Sequence, residues 1–120
     1  MNTHYEMITN ETVLNQYLGE SADQPLLILK HSTTCPISAN AHKEFVKYLE
    51  EASPKGELDQ IKVCLIRVIE ERPLSLKLAE LVHVTHQSPQ LLLIKNGECV
   101  YMESHWKITK SAIATAVNAL

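Results

Sequence analysis

A chain of 120 residues fits one compact domain, buries roughly two thirds of its unfolded surface, and has the apolar (45%) and charged (21%) content of an ordinary soluble globular protein. Its net charge of −3 argues against a general nucleic-acid surface, which shows a basic stripe. Residues 1–6 lack a basic region followed by an apolar run, and the longest apolar stretches, such as residues 91–94, are too short to span a bilayer, so a cytoplasmic protein is expected.

No internal repeat, low-complexity tract or Gly/Ser linker interrupts the chain, which reads as a single domain over residues 1–120. Thr9 or Asn10 caps a short helix that runs to about Gly19, a good helix stop. Pro25 precedes Leu26, Leu27, Ile28 and Leu29, a continuous apolar run expected as a buried strand. A long helix follows, from Pro36 to about Ala52. There Ala41, Phe45, Val46, Leu49 and Ala52 keep helical spacing, and proline suits the first helical position. Residues 53–56 (Ser-Pro-Lys-Gly) form a loop, and the β-branched stretch 61–69 predicts a second strand.

Pro73 opens a further helix, whose stripe of Leu74, Leu78, Leu81 and Val82 ends near His83. Residues 91–94 and 99–102 are apolar runs separated by Asn96-Gly97, the strongest short-range hairpin signal. Thr109 caps a last helix ending at Leu120. The expected order is β-α-β-α-β-β-α behind an extra N-terminal helix. This is an α/β fold with a central mixed sheet of about four strands. Two parallel strands joined by a crossover helix, followed by a helix and an antiparallel hairpin, make the thioredoxin arrangement.

The three cysteines, Cys35, Cys64 and Cys99, include no close pair, so neither a disulfide framework nor a zinc spacing is expected. The histidines are scattered and read as surface residues. Cys35 is different, because it stands between the first inner strand and the long helix, at the cap position. Unpaired backbone N–H groups and the helix dipole favour negative charge there, and Lys30 and His31 add positive potential. Strand carboxyl ends are also where open α/β sheets place their ligands. A nucleophilic, exposed thiol is expected, against the alternative of an inert loop cysteine.

Where dithiol proteins of this fold carry a second cysteine, three residues on, this chain has Ser38. Cys64 lies mid-strand, roughly 13 Å from the active edge at strand rise. Cys99 opens the outgoing hairpin strand beside a turn at the opposite end of the sheet. Both exceed the reach of about 7 Å between Cα atoms that a disulfide allows. Each reads as a packed thiol, so Cys35 is expected to work as a monothiol. Ser38 either donates a hydrogen bond to the thiolate or helps cap the helix. Ser88-Pro89 precedes the third inner strand; in this fold the proline there is cis, and the backbone before it pairs with an extended partner.

Several stretches together resemble the YtxJ-type monothiol bacilliredoxins: residues 29–38 with the core Thr34-Cys35-Pro36-Ile37-Ser38, Arg72-Pro73-Leu74-Ser75, residues 86–90, Asn96-Gly97-Glu98 and residues 104–109. The resemblance implies a thioredoxin-like fold and removal of bacillithiol from protein–bacillithiol mixed disulfides. It matches Cys35 to the active cysteine, Thr34, Pro36, Ile37 and Ser38 to the motif, and Pro89 to the cis-proline. It implies bacillithiol as co-substrate, no bound cofactor or metal, and bacillithiolated client proteins as partners.

Arg72, His105 and Trp106 are expected to line the site for the thiol carrier, since the hairpin's outgoing strand returns toward Pro89 and an arginine fork suits a carboxylate, while Ser88-Pro89 is expected to contact the bound substrate. The competing expectations are packing of Trp106 under the last helix and a solvated Arg72. Three other functions compete. A glutathione-linked monothiol glutaredoxin carries Cys-Gly-Phe-Ser, here replaced by Cys35-Pro36-Ile37-Ser38, and has a Gly-Gly segment that is missing after the hairpin. A peroxidase is a further option, since Ser32 stands three residues before Cys35, but the proline peroxiredoxins place four residues earlier is absent, because position 28 is Ile28. A thioredoxin-fold binding module without turnover is the non-enzymatic alternative.

Overall fold

The computed structural model describes residues 4–120; Met1, Asn2 and Thr3, part of the segment read above for a leader, lie outside the described residues. Its elements in chain order are β1 (Glu6–Met7), α1 (Glu11–Gly19), β2 (Leu26–His31), α2 (Pro36–Ala52), a 3-10 turn (Ser53–Lys55) and β3 (Lys62–Arg67). Then come α3 (Arg72–Val82), β4 (Gln90–Lys95), β5 (Glu98–Ser104), a second 3-10 turn (His105–Lys107) and α4 (Lys110–Asn118). The sheet order is β1-β3-β2-β4-β5. β1, β3 and β2 run parallel, while β4 lies antiparallel to β2 and β5 antiparallel to β4.

The sheet therefore has five strands rather than about four. The additional one is the two-residue β1, which pairs Glu6 with Cys64 and Met7 with Leu65. Too short to show a period of two, it forms because the backbone before α1 runs along the free side of β3, where the Ile8 N–H also donates to the Leu65 carbonyl at 3.0 Å. The expected strand 61–69 is trimmed to 62–67, since Val68 and Ile69 already belong to the turn into α3. Helix starts follow side-chain chemistry. Asn10 accepts from the Val13 N–H and Thr109 from the Ala112 N–H, both as N-caps.

Both faces of the sheet are covered. Leu27, Leu29, Leu65, Leu91 and Leu93 pack with Phe45, Leu49, Ile113 and Val117 of α2 and α4. Leu26, Ile28, Cys64, Ile66, Leu92 and Ile94 pack with Leu14, Leu74, Leu78 and Val82 of α1 and α3. This double cover is why β2 is a continuous run rather than an alternating one. Asn96 and Gly97 both take positive φ, 55° and 76°, as a tight hairpin turn requires. The Ser21 hydroxyl braces that turn by accepting from the Gly97 N–H at 2.7 Å.

Ile28 is fully buried in the central strand. Ile28→Ala is expected to destabilise the protein by about 2–5 kcal/mol, read from the shift of a urea unfolding curve. A loss well under that range would mean the sheet interior repacks freely.

Candidate active site

β2 delivers the chain to the active edge. After His31 the backbone turns through residues 32–34, and Cys35 becomes the N-cap of α2 in an extended conformation (φ −110°, ψ 125°). Its N–H donates to the Ser32 carbonyl at 3.4 Å, and its own carbonyl accepts the first helical hydrogen bond, from Ala39 N at 2.9 Å. The side chain makes no capping bond. The thiol is thus left half-exposed at the helix head, where the N–H groups of the first turn have no partner within the helix. Pro36 occupies the first helical turn, where a missing N–H is not felt. Thr34 is exposed, its hydroxyl 3.3 Å from that of Ser32, and Ile37 is half-buried.

Ser38 is fully buried and has a definite task. Its Oγ accepts from the Ser32 N–H at 2.8 Å and lies 2.8 Å from His31 Nδ1. Of the two expectations for this hydroxyl, neither describes these bonds. It ties the loop before Cys35 to the strand end and to the first turn of α2. The ring of His31 stacks on that of His42, 4.7 Å between centroids and 20° between planes. His42 Nε2 in turn lies 3.1 Å from the Tyr5 hydroxyl. Position 42 falls one helical turn after Ser38 on the same face of α2, a spacing that the sequence displays but that was not used to find it.

Opposite stands the start of β4. β2 and β4 pair Lys30 with Gln90, so one further step of the ladder brings the His31 end of β2 abreast of Pro89. The Ser88–Pro89 peptide is cis, with Ser88 half-buried and Pro89 buried. The Pro89 carbonyl accepts from the His105 N–H at 3.2 Å, and Ser104 pairs with Gln90. The outgoing hairpin strand does return beside Pro89.

Trp106 is 61% exposed, which overturns the expectation that it packs under the last helix. His105 takes a left-handed φ of 55°. Within the turn that follows, Ile108 is the residue buried against α2 and α4, leaving the indole outside. Arg72 is exposed at the start of α3 and acts electrostatically on His86.

The other thiols are held apart from this edge. Cys64 is fully buried, paired across the sheet with Ile28, and burial pushes its thiol up to about 12. Cys99 is half-buried on β5, its Sγ 3.3 Å from the Tyr101 carbonyl, and burial raises its thiol as well. All three cysteines are free.

Two buried polar side chains escaped the sequence reading. Lys30, noted there only as nearby positive charge, is completely buried, and Gln90 beside it likewise. Lys30 Nζ lies 3.1 Å from His86 Nδ1. Gln90 donates through Nε2 to the Thr85 carbonyl at 3.1 Å and accepts through Oε1 from the Gln87 N–H at 3.4 Å. A lysine inside an otherwise apolar strand was the available signal.

The fold and the cysteine at the head of α2 define a thiol–disulfide oxidoreductase of the thioredoxin class. Residues 6–113 match the family model described as monothiol bacilliredoxin BrxC, and the chain belongs to that family. It is similar to a solved structure described as an oxidoreductase with a thioredoxin fold, with 34% identity over 93% of this chain and 92% of that one and a TM-score of 0.80. The fold is also that of the Malassezia sympodialis thioredoxin (18% identity, 98% and 91% covered, TM-score 0.74). Mitochondrial thioredoxin 3 from Saccharomyces cerevisiae shares it too (16% identity, 97% and 95% covered, TM-score 0.70). Among the described residues no helix is long and apolar enough to cross a membrane, and no group of metal-ligating side chains is assembled.

Burial lowers the pKa of both His31 and His42, and the two stacked rings disfavour charge on His31 further. An unfolded histidine titrates near 6.5, so the unfolded chain takes up these protons first as pH falls. Stability contributed by the neutral rings is therefore present above about pH 6.5 and is lost as pH falls through the lowered native values. The melting temperature is expected to drop from about pH 7 to about pH 5, and His42→Gln to flatten that slope. An unchanged slope in the variant would contradict this account of the pair.

Proposed function

We propose that the protein removes bacillithiol from protein–bacillithiol mixed disulfides, with Cys35 as the nucleophile. The observation that carries this reading is a half-exposed thiol at the head of α2, with a buried, fully engaged serine where a second thiol would stand. The Cys35 thiolate attacks the bacillithiol sulfur, the client's sulfur leaves as thiolate, and Cys35 is left carrying bacillithiol. A second bacillithiol thiolate then attacks that sulfur, releasing the symmetrical disulfide and regenerating the Cys35 thiolate. Electrons balance without a bound cofactor, and bacillithiol serves as co-substrate.

Membership of the bacilliredoxin family supports the choice of thiol and points to thiol-modified proteins as clients. The open edge formed by Cys35 and Ser88-Pro89 suits an extended client segment, paired through its main chain. Thr34, Pro36 and Ile37 shape the turn that presents the thiol. Arg72, His105 and Trp106 are assigned to the carrier: the first for carboxylate, the others as exposed polar and aromatic surface at the end of β5.

Intact mass after mixing with a bacillithiolated client tests the proposal. Wild type is expected to gain one bacillithiol as the client loses it, and Cys35→Ala to do neither. Absence of the adduct from wild type would remove bacillithiol as the carrier. Alanine at Arg72 or at His105 is expected to slow de-bacillithiolation, and an unchanged rate would withdraw that residue from the carrier site.

A further inference from the structure

Lys30 is among the largest fully buried side chains of the described residues, and it alone among them is charged. Among the described residues Lys30 forms no ion pair with a carboxylate, and its hydrogen bond runs to His86 Nδ1. An isolated cation removed from water is destabilising, and such groups are concentrated at functional sites. Desolvation alone lowers its pKa to about 8. Gln90 lies directly across the ladder from Lys30 on the same face of the sheet. Together they reach the loop leading to Pro89 from beneath, Gln90 through Thr85 and Gln87, Lys30 through His86. A neutral amide such as Gln90 suffices to pin a loop backbone. What only a cation supplies is a constraint on the His86 ring.

An ammonium has protons to give and no lone pair to offer. His86 Nδ1 must then accept, so the ring's own proton stays on Nε2, on the side turned away from Lys30. The positive charges of Lys30 and Arg72, together with burial, all disfavour a second proton on that ring. The half-buried His86 thus presents a fixed, neutral N–H donor on the same edge of the sheet as the exposed guanidinium of Arg72, whose charge it feels. A guanidinium fork and a neutral donor sharing one edge suit a carboxylate.

We propose that Lys30 is a positioning residue that holds His86 as an Nε2–H donor, and that His86 and Arg72 form a subsite for a carboxylate on the small thiol that bonds to Cys35. This rests on the exchange chemistry proposed for Cys35 and adds a reason for selectivity among small thiols. The placement is consistent: His86 comes three residues before Pro89, and β2, which carries Lys30, runs directly into the Cys35 turn.

The test uses the Cys99→Ala protein, charged at Cys35 with a 2-thiopyridyl group from 2,2′-dithiodipyridine. Mercaptosuccinate, a dicarboxylate thiol, and 2-mercaptoethanol, a neutral one, then displace that group in separate single turnovers, each ending as a mixed disulfide with Cys35. Each thiolate attacks Cys35 Sγ and expels pyridine-2-thione, whose absorbance gives the rate. The ratio of the mercaptosuccinate rate to the 2-mercaptoethanol rate is expected to fall about tenfold in Lys30→Met, His86→Ala and Arg72→Ala, the equivalent of one charge-assisted hydrogen bond. Imidazole nitrogen NMR supplies a readout independent of rate. Wild-type His86 is expected as the Nε2–H tautomer, with Lys30→Met giving a tautomer mixture and a higher His86 pKa.

Equal slowing with both thiols would mean that Lys30 only braces the loop, and an unchanged ratio would remove the subsite; either overturns the proposal. An unchanged tautomer in Lys30→Met would overturn the positioning role. Neither bacillithiol nor a client protein is used, so failure of bacillithiol transfer in the mass experiment would leave these results standing, and the reverse also holds.

Discussion

β2 is covered on both faces, and everything at the reactive edge follows from where that strand must end. Its apolar residues are held between two helical layers, which fixes both its register against β3 and β4 and the height at which its carboxyl end emerges. At that height the same ladder brings up the start of β4 with Pro89, and the β4–β5 hairpin then returns His105 to the Pro89 carbonyl. Cys35 needs no special framework beyond this. A short turn and a helix N-terminus place its thiol in the open, at the meeting point of three chain segments.

Ser38 makes that turn permanent. In a dithiol protein the corresponding side chain is a second reactant; here it is a buried fastener between Ser32 and His31. Taking up both the Ser32 amide and the His31 ring avoids leaving buried polar atoms unpaired. It also commits the hydroxyl to the scaffold. In the proposed exchange the chemistry is thereby simplified to one sulfur that accepts a group and waits for an external thiol. Cys64 is sealed in the sheet interior with its thiol pushed far above neutrality, which keeps it out of the exchange.

Much of the fold was legible because its signals are local or periodic. Continuous apolar runs bounded by Pro25 and Asn96-Gly97 marked the inner strands, and Thr109 marked the start of α4. Two-residue β1 was not legible, since it exists only through pairing with β3. At the site, Cys35 and Pro89 were found by position relative to predicted elements. Lys30–His86 and Tyr5–His42–His31 were not, because their partners are 56, 37 and 11 residues apart and meet only after the sheet has formed. The exposure of Trp106 depended on a left-handed residue, His105, that no propensity rule requires.

The central claim is that this site handles one sulfur and resolves nothing internally. The most direct measurement is the intact mass of the bacillithiol-charged protein, followed over time with no free thiol present. The adduct is expected to persist on Cys35 until bacillithiol is added. Spontaneous loss of the adduct, leaving a protein two hydrogens lighter than the reduced form, would reveal an internal disulfide with Cys64 or Cys99 and contradict that claim.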